Sequence, residues 1–323
     1  MAKSNLCYLA LIFAEYLIML FRYLGGVLSG LFFISTPAFA LTAEPVHIPI
    51  SYLEERILLP VEIEGVGERF FILDTAAGRS VISADLRAEL DLTPEDISQL
   101  EVQGATGAIT LEVVTLSGLS LGELPQKDVS AVVADLSSFR EYDGRQVEGI
   151  LGVDVLSRYD VAIDVPGATV SLLQDGTSYS ELGVNETGLE FHSGVQPGFV
   201  QFNVMLEGTP VAAVLDSAAR VGTINWQAAS LARLFPDSDA VTIKEGGSRG
   251  IDGIGTESFT APVSNICLGE RCYLSMNVKI ADLPVFSVLG IADQPAMLVG
   301  AAFMADCPMV IAYSTQTLHV CAD

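Results

Sequence analysis

Short runs of alternating apolar and polar residues, punctuated by glycine, recur along most of the chain after residue 40. Successive side chains of a strand point to opposite faces, so this pattern predicts short β-strands joined by tight turns. Leu58 to Gly65 and Val200 to Gly208 each read as a strand leading to a glycine turn, and Arg69 to Leu73 and Pro210 to Leu215 as apolar strands. Helical spacing is scarce. One helix is predicted at Ala84 to Leu90, behind the capping residue Ser83, and one at Gln227 to Leu234, behind Asn225. Ahead of all this, Leu6 to Phe39 is almost uninterrupted apolar sequence.

The pattern also repeats. Arg69-Phe70-Phe71-Ile72-Leu73-Asp74-Thr75-Ala76-Ala77 lies over Pro210-Val211-Ala212-Ala213-Val214-Leu215-Asp216-Ser217-Ala218-Ala219. Both copies run on into an apolar segment, Ser80-Val81-Ile82 and Gly222-Thr223-Ile224. Further along, Ser120 to Glu123 matches Cys267 to Glu270, and Gly149-Ile150-Leu151-Gly152 matches Met297-Leu298-Val299-Gly300. Each copy ends in a pair of strands, Val161 to Asp164 with Ala168 to Leu172, and Met309 to Ala312 with Thr317 to Val320. Internal self-similarity of this kind implies two structural units of the same order. We expect lobes at 41–178 and 190–323, joined by a polar linker at 179–189.

Composition agrees with such an arrangement. The chain has 323 residues, 50% hydrophobic and 17% charged, enough for one large domain or two ordinary ones and unlike disordered or coiled-coil sequence. The 29 Gly and 14 Pro favour β-structure with frequent turns. Sixteen basic residues face 40 acidic ones, a formal net charge of −24, so a nucleic-acid partner is excluded by repulsion.

Thr36-Pro37-Ala38-Phe39-Ala40 closes the apolar leader with a small-residue cleavage pattern, so residues 1–40 are expected to be a signal peptide, with the start expected at Met19, which makes Met19-Leu20-Phe21-Arg22 a short basic n-region. An uncleaved membrane anchor is the alternative, since the stretch is long enough to span a bilayer. Removal of the leader takes Cys7 with it and leaves Cys267, Cys272, Cys307 and Cys321. Four cysteines allow three pairings. Cys267 to Cys272 reads as a turn closed by a short bridge, and Cys307 with Cys321 as a bridge across the last two strands, suited to a periplasmic or extracellular setting. A four-thiolate metal site is the rival, but the spacing is poor for zinc.

An aspartate at the end of an apolar strand is costly to bury alone. Two of them, related by duplication, suggest that the lobes face one another and bring Asp74 and Asp216 together. Adjacent carboxylates share a proton, and the pair can then act as base and acid on a water molecule.

At these residues the sequence resembles the aspartic proteases of the retropepsin and pepsin families. Asp74-Thr75-Ala76-Ala77 and Asp216-Ser217-Ala218-Ala219 stand where those families carry Asp-Thr/Ser-Gly-Ala/Ser/Thr. Ile150-Leu151-Gly152 and Leu298-Val299-Gly300 stand at their second motif, beside the catalytic loop. The resemblance implies an all-β, bilobal fold of two homologous β-barrel lobes with a cleft between them, each lobe about the size of a retropepsin subunit. It implies Asp74 and Asp216 as the dyad, with Thr75 and Ser217 bracing the loops and Ala76 and Ala218 in the place of the usual glycines. Gly152 and Gly300 would support the loops. Val102 to Thr110, with Gly104, Ala105, Thr106 and Gly107 at its tip, reads as a substrate flap, and Gly246 to Gly255 as its counterpart. The implied activity is endopeptidase cleavage of an extended peptide or protein, with an acidic optimum, no cofactor and no metal. A monomer is expected, free of the membrane once the leader is cleaved. A non-catalytic peptide- or protein-binding module on the same scaffold is the alternative function.

Other signals are weaker. Gly118-Leu119-Ser120-Leu121-Gly122 matches a serine-hydrolase pattern but sits in an alternating strand with no helix after it. His47, His192 and His319 are scattered and form no metal motif. Gly250 to Gly255 has the wrong glycine spacing for a phosphate cradle. Asp154 reads as a structural polar group and Trp226 as core packing.

Overall fold

The computed structural model describes residues 44–53, 55–104, 107–137, 139, 144, 146–173, 178–194, 197–243, 248–249 and 255–321. The expected signal peptide, and Ala105 and Thr106 of the expected flap, lie outside the described residues, as does most of the second glycine-rich hairpin.

Three sheets account for nearly all of the structure, giving an all-β, bilobal, aspartic-protease-like fold. The first lobe is built on a ten-stranded sheet. At its centre Arg56–Ile63 pairs antiparallel with Gly67–Leu73, which pairs parallel with Val147–Leu151. Phe71, Ile72 and Leu73 are fully buried, as a strand covered on both faces requires. The second lobe repeats this frame. Gln201–Leu206 pairs antiparallel with Thr209–Leu215, which pairs parallel with Ala296–Val299. Gln201–Leu206 also pairs with Phe259–Leu268, closing six strands into a barrel. Its strict alternation, with Phe202, Val204 and Leu206 buried and Asn203 and Met205 exposed, is that of a strand with one face in the core.

The third sheet belongs to both lobes. Val46–Pro49, Thr169–Leu173 and Asp160–Asp164 come from the first and Met309–Ala312 and Thr317–Val320 from the second, with Leu189–Glu190, where the expected linker meets the second lobe, at the edge. The seam is antiparallel, with Val161 opposite Ile311 and Ile163 opposite Met309. The strand pairs read from sequence as the closing elements of each lobe therefore join into one continuous six-stranded sheet. Thr42–Asp323 packs as one compact unit.

The two helices predicted from sequence form at Ala84–Glu89 and Trp226–Leu231, each capped by the expected residue: Ser83 Oγ accepts from Leu86 N, and Asn225 Oδ1 from Ala228 N. The second starts one residue earlier and ends three earlier than its apolar pattern. Short helices also form at Val153–Leu156, directly after Gly152, and at Pro284–Val288, where proline starts the first turn. The segment Gly118 to Gly122 is strand and turn, with Gly122 at φ 56°, and no helix follows it.

Cys267 is bonded to Cys272 directly across the ladder of Phe259–Leu268 and Arg271–Ile280, and Cys307 to Cys321 beside the last strand. Among the described residues no cluster of His, Cys, Asp and Glu suits a metal ion, and no helix is long and apolar enough to cross a membrane.

A bridge restricts the unfolded chain more when it closes a longer loop. Replacing Cys307 and Cys321 by serine is expected to cost about 3 kcal/mol, against about 2 kcal/mol for Cys267 and Cys272. Urea denaturation of the two double variants, compared with the parent chain, measures the difference.

Candidate active site

Each lobe presents an aspartate by the same construction. An apolar strand ends at Leu73 or Leu215, and the next residue, Asp74 or Asp216, is held in line with the parallel neighbour: Asp74 N donates to Leu151 O at 3.0 Å and Asp216 N to Val299 O at 2.9 Å. Both aspartates are half-buried. Asp74 Oδ1 accepts from Ala76 N at 2.8 Å, and Asp216 Oδ1 from Ala219 N at 2.9 Å.

The residue after each aspartate ties the lobes together. Thr75 N donates to Ser217 Oγ at 3.0 Å, and Ser217 N to Thr75 Oγ1 at 3.1 Å. The two hydroxyls then donate across to the opposite strand ends, Thr75 Oγ1 to Leu215 O and Ser217 Oγ to Leu73 O, each at 2.8 Å. Thr75 and Ser217 are both fully buried. Only a side chain that accepts and donates at one atom completes this exchange, which explains a hydroxyl at both positions.

Gly152 and Gly300 press against these loops. A Cβ on Gly152 would lie 2.7 Å from Ala77 O and 2.9 Å from Arg79 C; one on Gly300 would lie 2.6 Å from Val221 C and 2.7 Å from Ala219 O. The obstacle is backbone, so glycine is needed for the close approach. Past each glycine the chain bonds back to the loop: Val153 N donates to Ala77 O at 2.9 Å and Ala301 N to Ala219 O at 2.8 Å. The first lobe adds Ser80, whose Oγ accepts from Gly152 N and donates to Asp154 Oδ1. Asp154 is thus a bracing group; Gly222 and Ala302 stand at the matching places in the second lobe.

Burial raises the pKa of Asp74 to about 7, and the negative charge of Asp216 adds to the effect against the amides of Ala76 and Ala77. Burial raises Asp216 as well, opposed by the amides of Ala219 and Ala218 and by the positive charges of Lys279 and Arg56. The two carboxylates are one titrating system, and near neutrality the first proton is shared between them. Neither Ala76 nor Ala218 has a positive φ, so alanine incurs no left-handed strain at either place.

The rest of the surroundings comes from segments that carry no motif. Ala76 packs against a cluster with Phe199, Val214, Phe286 and Leu289, and Ala77, Ala218 and Phe139 each pack against one with Ile72, Leu136 and Ile150. Tyr52 and Glu55, on the hairpin before the first long strand, reach the second lobe: Tyr52 Oη donates to Ala301 O at 3.3 Å, and Glu55 pairs with Arg220 at 3.0 Å. Phe199 and these charged residues went unnoticed in the sequence because only proximity in space marks them. The expected flap is an antiparallel hairpin, Ile97–Gly104 with Gly107–Leu116, and Gly104 lies opposite Gly107. In the second lobe Ser248–Arg249 pairs with Gly255–Thr256. The three histidines lie apart: His47 Nδ1 is bonded to Ser171 Oγ, His192 bridges to Gln201, and His319 Nδ1 contacts Asn185 O. Trp226 is edge-on to Phe259 at 5.2 Å and packs on the core.

Replacing Thr75 by valine keeps the shape but strips Ser217 N and Leu215 O of their buried partner, at about 1 to 3 kcal/mol for each group left unpaired. A loss above about 2 kcal/mol in urea denaturation is expected on that basis, and Gly300→Ala is expected to lower the midpoint as well because the backbone of Val221 has to move. Residues 59–155, which include Asp74, Thr75 and Gly152, match the family described as aspartyl protease. A comparison with curated proteins finds no match.

Proposed function

We propose that the chain is an exported aspartic endopeptidase in which Asp74 and Asp216 together activate water against a peptide bond. The observation that carries this reading is the pair of raised carboxylates on loops interlocked by Thr75 and Ser217. Holding one proton, the pair has one ionised and one protonated member. The ionised carboxylate takes a proton from water as its oxygen attacks the carbonyl carbon, and the protonated one donates to the carbonyl oxygen. Collapse of the resulting diol expels the amine, which leaves with a proton from the pair.

In this reading Thr75 and Ser217 position the dyad, Gly152 and Gly300 support its loops, and the hairpin carrying Gly104 to Gly107 covers the substrate. The lobes span 41–178 and 190–323 with 179–189 as linker, and residues 1–40 are removed on export. The two disulfides fit an oxidising compartment. The substrate is an extended peptide, and the chain acts as a monomer.

Incubation of residues 41–323 with a mixed peptide library is expected to give cuts that Asp74→Asn reduces on the order of a thousandfold, the size of a general acid–base contribution. Cleavage unchanged in the variant would retire the dyad. Absence of cleavage, with pepstatin still raising the melting temperature, would favour a binding module.

The raised pKa of Asp74 sets the pH dependence. Activity is expected to fall as pH rises through about 7, when the shared proton is lost. Stability follows the same sign. A carboxylate raised from 3.8 favours the fold while protonated, so its contribution is complete below about pH 4 and is lost as pH rises towards 7. The melting temperature of Asp74→Asn, which has no such proton to lose, is expected to decline less over that interval than that of the parent chain.

A further inference from the structure

We propose that Ala76 and Ala218 are positioning residues for the aspartate pair: each methyl is seated on an apolar cluster of the opposite lobe, and each thereby steadies the backbone amides that hold its own aspartate. The proposal rests on the peptidase reading and deepens it with a second lock between the lobes, apolar where the exchange between Thr75 and Ser217 is polar.

The seating crosses the molecule in both directions. Ala218 belongs to the loop of the second lobe, yet the buried residues it packs against, Leu58, Ile72, Val81, Leu136, Val147 and Ile150, all come from the first. Ala76 belongs to the loop of the first lobe and packs against a cluster whose Val214, Phe286, Leu289 and Leu298 come from the second. The internal repeat relates the two seats. Ile72 and Val214 each stand two residues before an aspartate, and Ile150 and Leu298 each stand two residues before Gly152 or Gly300. Alternation along the strands explains why these residues are free for the task. Phe71 and Leu73 belong to the main core while Ile72 faces the other way, and Ala213 and Leu215 belong to it while Val214 faces the other way.

The backbone at the alanines does the holding. Ala76 N donates to Asp74 Oδ1 at 2.8 Å, and the amides of Ala219 and Ala218 favour the ionised form of Asp216. A hydrogen bond to a carboxylate is strong, but it weakens steeply when the donor swings out of line. Thr75 and Ser217 fix the strand ends; the methyls act one residue further on, where the donors are. Both alanines are half-buried and neither has a positive φ, so glycine fits the same backbone. A glycine there loses the anchor in the opposite lobe and gains freedom about both backbone angles.

The test uses the full chain carrying Ala76→Gly, Ala218→Gly, Val214→Ala and Ile72→Val, singly and in pairs, assayed on a library peptide and in urea denaturation. Each glycine variant is expected to lower kcat about tenfold, within the hundredfold that a misplacement of ~1 Å costs, and to leave KM unchanged. Residues that share a contact give less than additive effects when both are truncated. Such coupling, in kcat and in the urea midpoint, is expected across the lobes, for Ala76→Gly with Val214→Ala and for Ala218→Gly with Ile72→Val. It is expected to be weaker within a lobe, for Ala76→Gly with Ile72→Val and for Ala218→Gly with Val214→Ala. Ile72→Val removes a single methylene and keeps one crossed pair readable even where Val214→Ala prevents folding. Unchanged kcat in both glycine variants, a rise in KM in place of a fall in kcat, or coupling confined to pairs within one lobe overturns the proposal. Absence of cleavage in the parent chain, with crossed coupling intact in urea, would retire the peptidase reading and sustain the apolar lock.

Discussion

Two carboxylates brought together in a half-buried site repel one another, and the fold has to hold them there. Four hydrogen bonds between Thr75, Ser217, Leu73 and Leu215 do this, each hydroxyl accepting from the opposite amide and donating to the opposite strand end. Because the exchange is reciprocal and buried, neither loop can shift without stranding polar groups of the other. The strand ends, the glycines that press on the loops and the placement of the lobes all answer to this lock.

The architecture around it explains how such a costly pair is tolerated. Each aspartate follows a strand whose last three residues are fully buried and which is paired in parallel with a second strand from later in the same lobe, so the backbone that carries the carboxylate is anchored. Behind the site, the six-stranded sheet joins the lobes through backbone bonds between Asp160–Asp164 and Met309–Ala312. The lobes are therefore connected at two levels, by the hydroxyl exchange at the aspartate loops and by the backbone bonds of this seam. The raised pKa of Asp74 follows from burial and the charge of Asp216 together, and that of Asp216 from burial, with Lys279 and Arg56 offsetting part of the cost there.

The duplication is faithful where the lock requires it and loose elsewhere. Ser80 and Asp154 brace Gly152 in the first lobe, whereas Gly222 and Ala302 leave the second to packing by Met297 and Phe303. The barrel of the second lobe is closed by pairing of Gln201–Leu206 with Phe259–Leu268, while the first lobe extends its sheet through Leu119–Leu121 and Leu124–Pro125.

Local chemistry made much of this legible in the sequence. The two Asp-hydroxyl motifs, the glycines at 152 and 300, the helix caps Ser83 and Asn225 and the disulfide turn at Cys267 to Cys272 each depend on residues close together in the chain, and the repeat made each copy a check on the other. The helix at Pro284–Val288 was not foreseen, because five residues are too few to show a helical period. The joined sheet was invisible for a different reason: strand pairing between Val161 and Ile311 spans half the chain and leaves no local mark. Arg56 on Phe139, Lys279 beside the loop of Asp216 and the reach of Glu55 to Arg220 are likewise products of tertiary structure, since side chains far apart in sequence declare a shared electrostatic role only once the fold has placed them together.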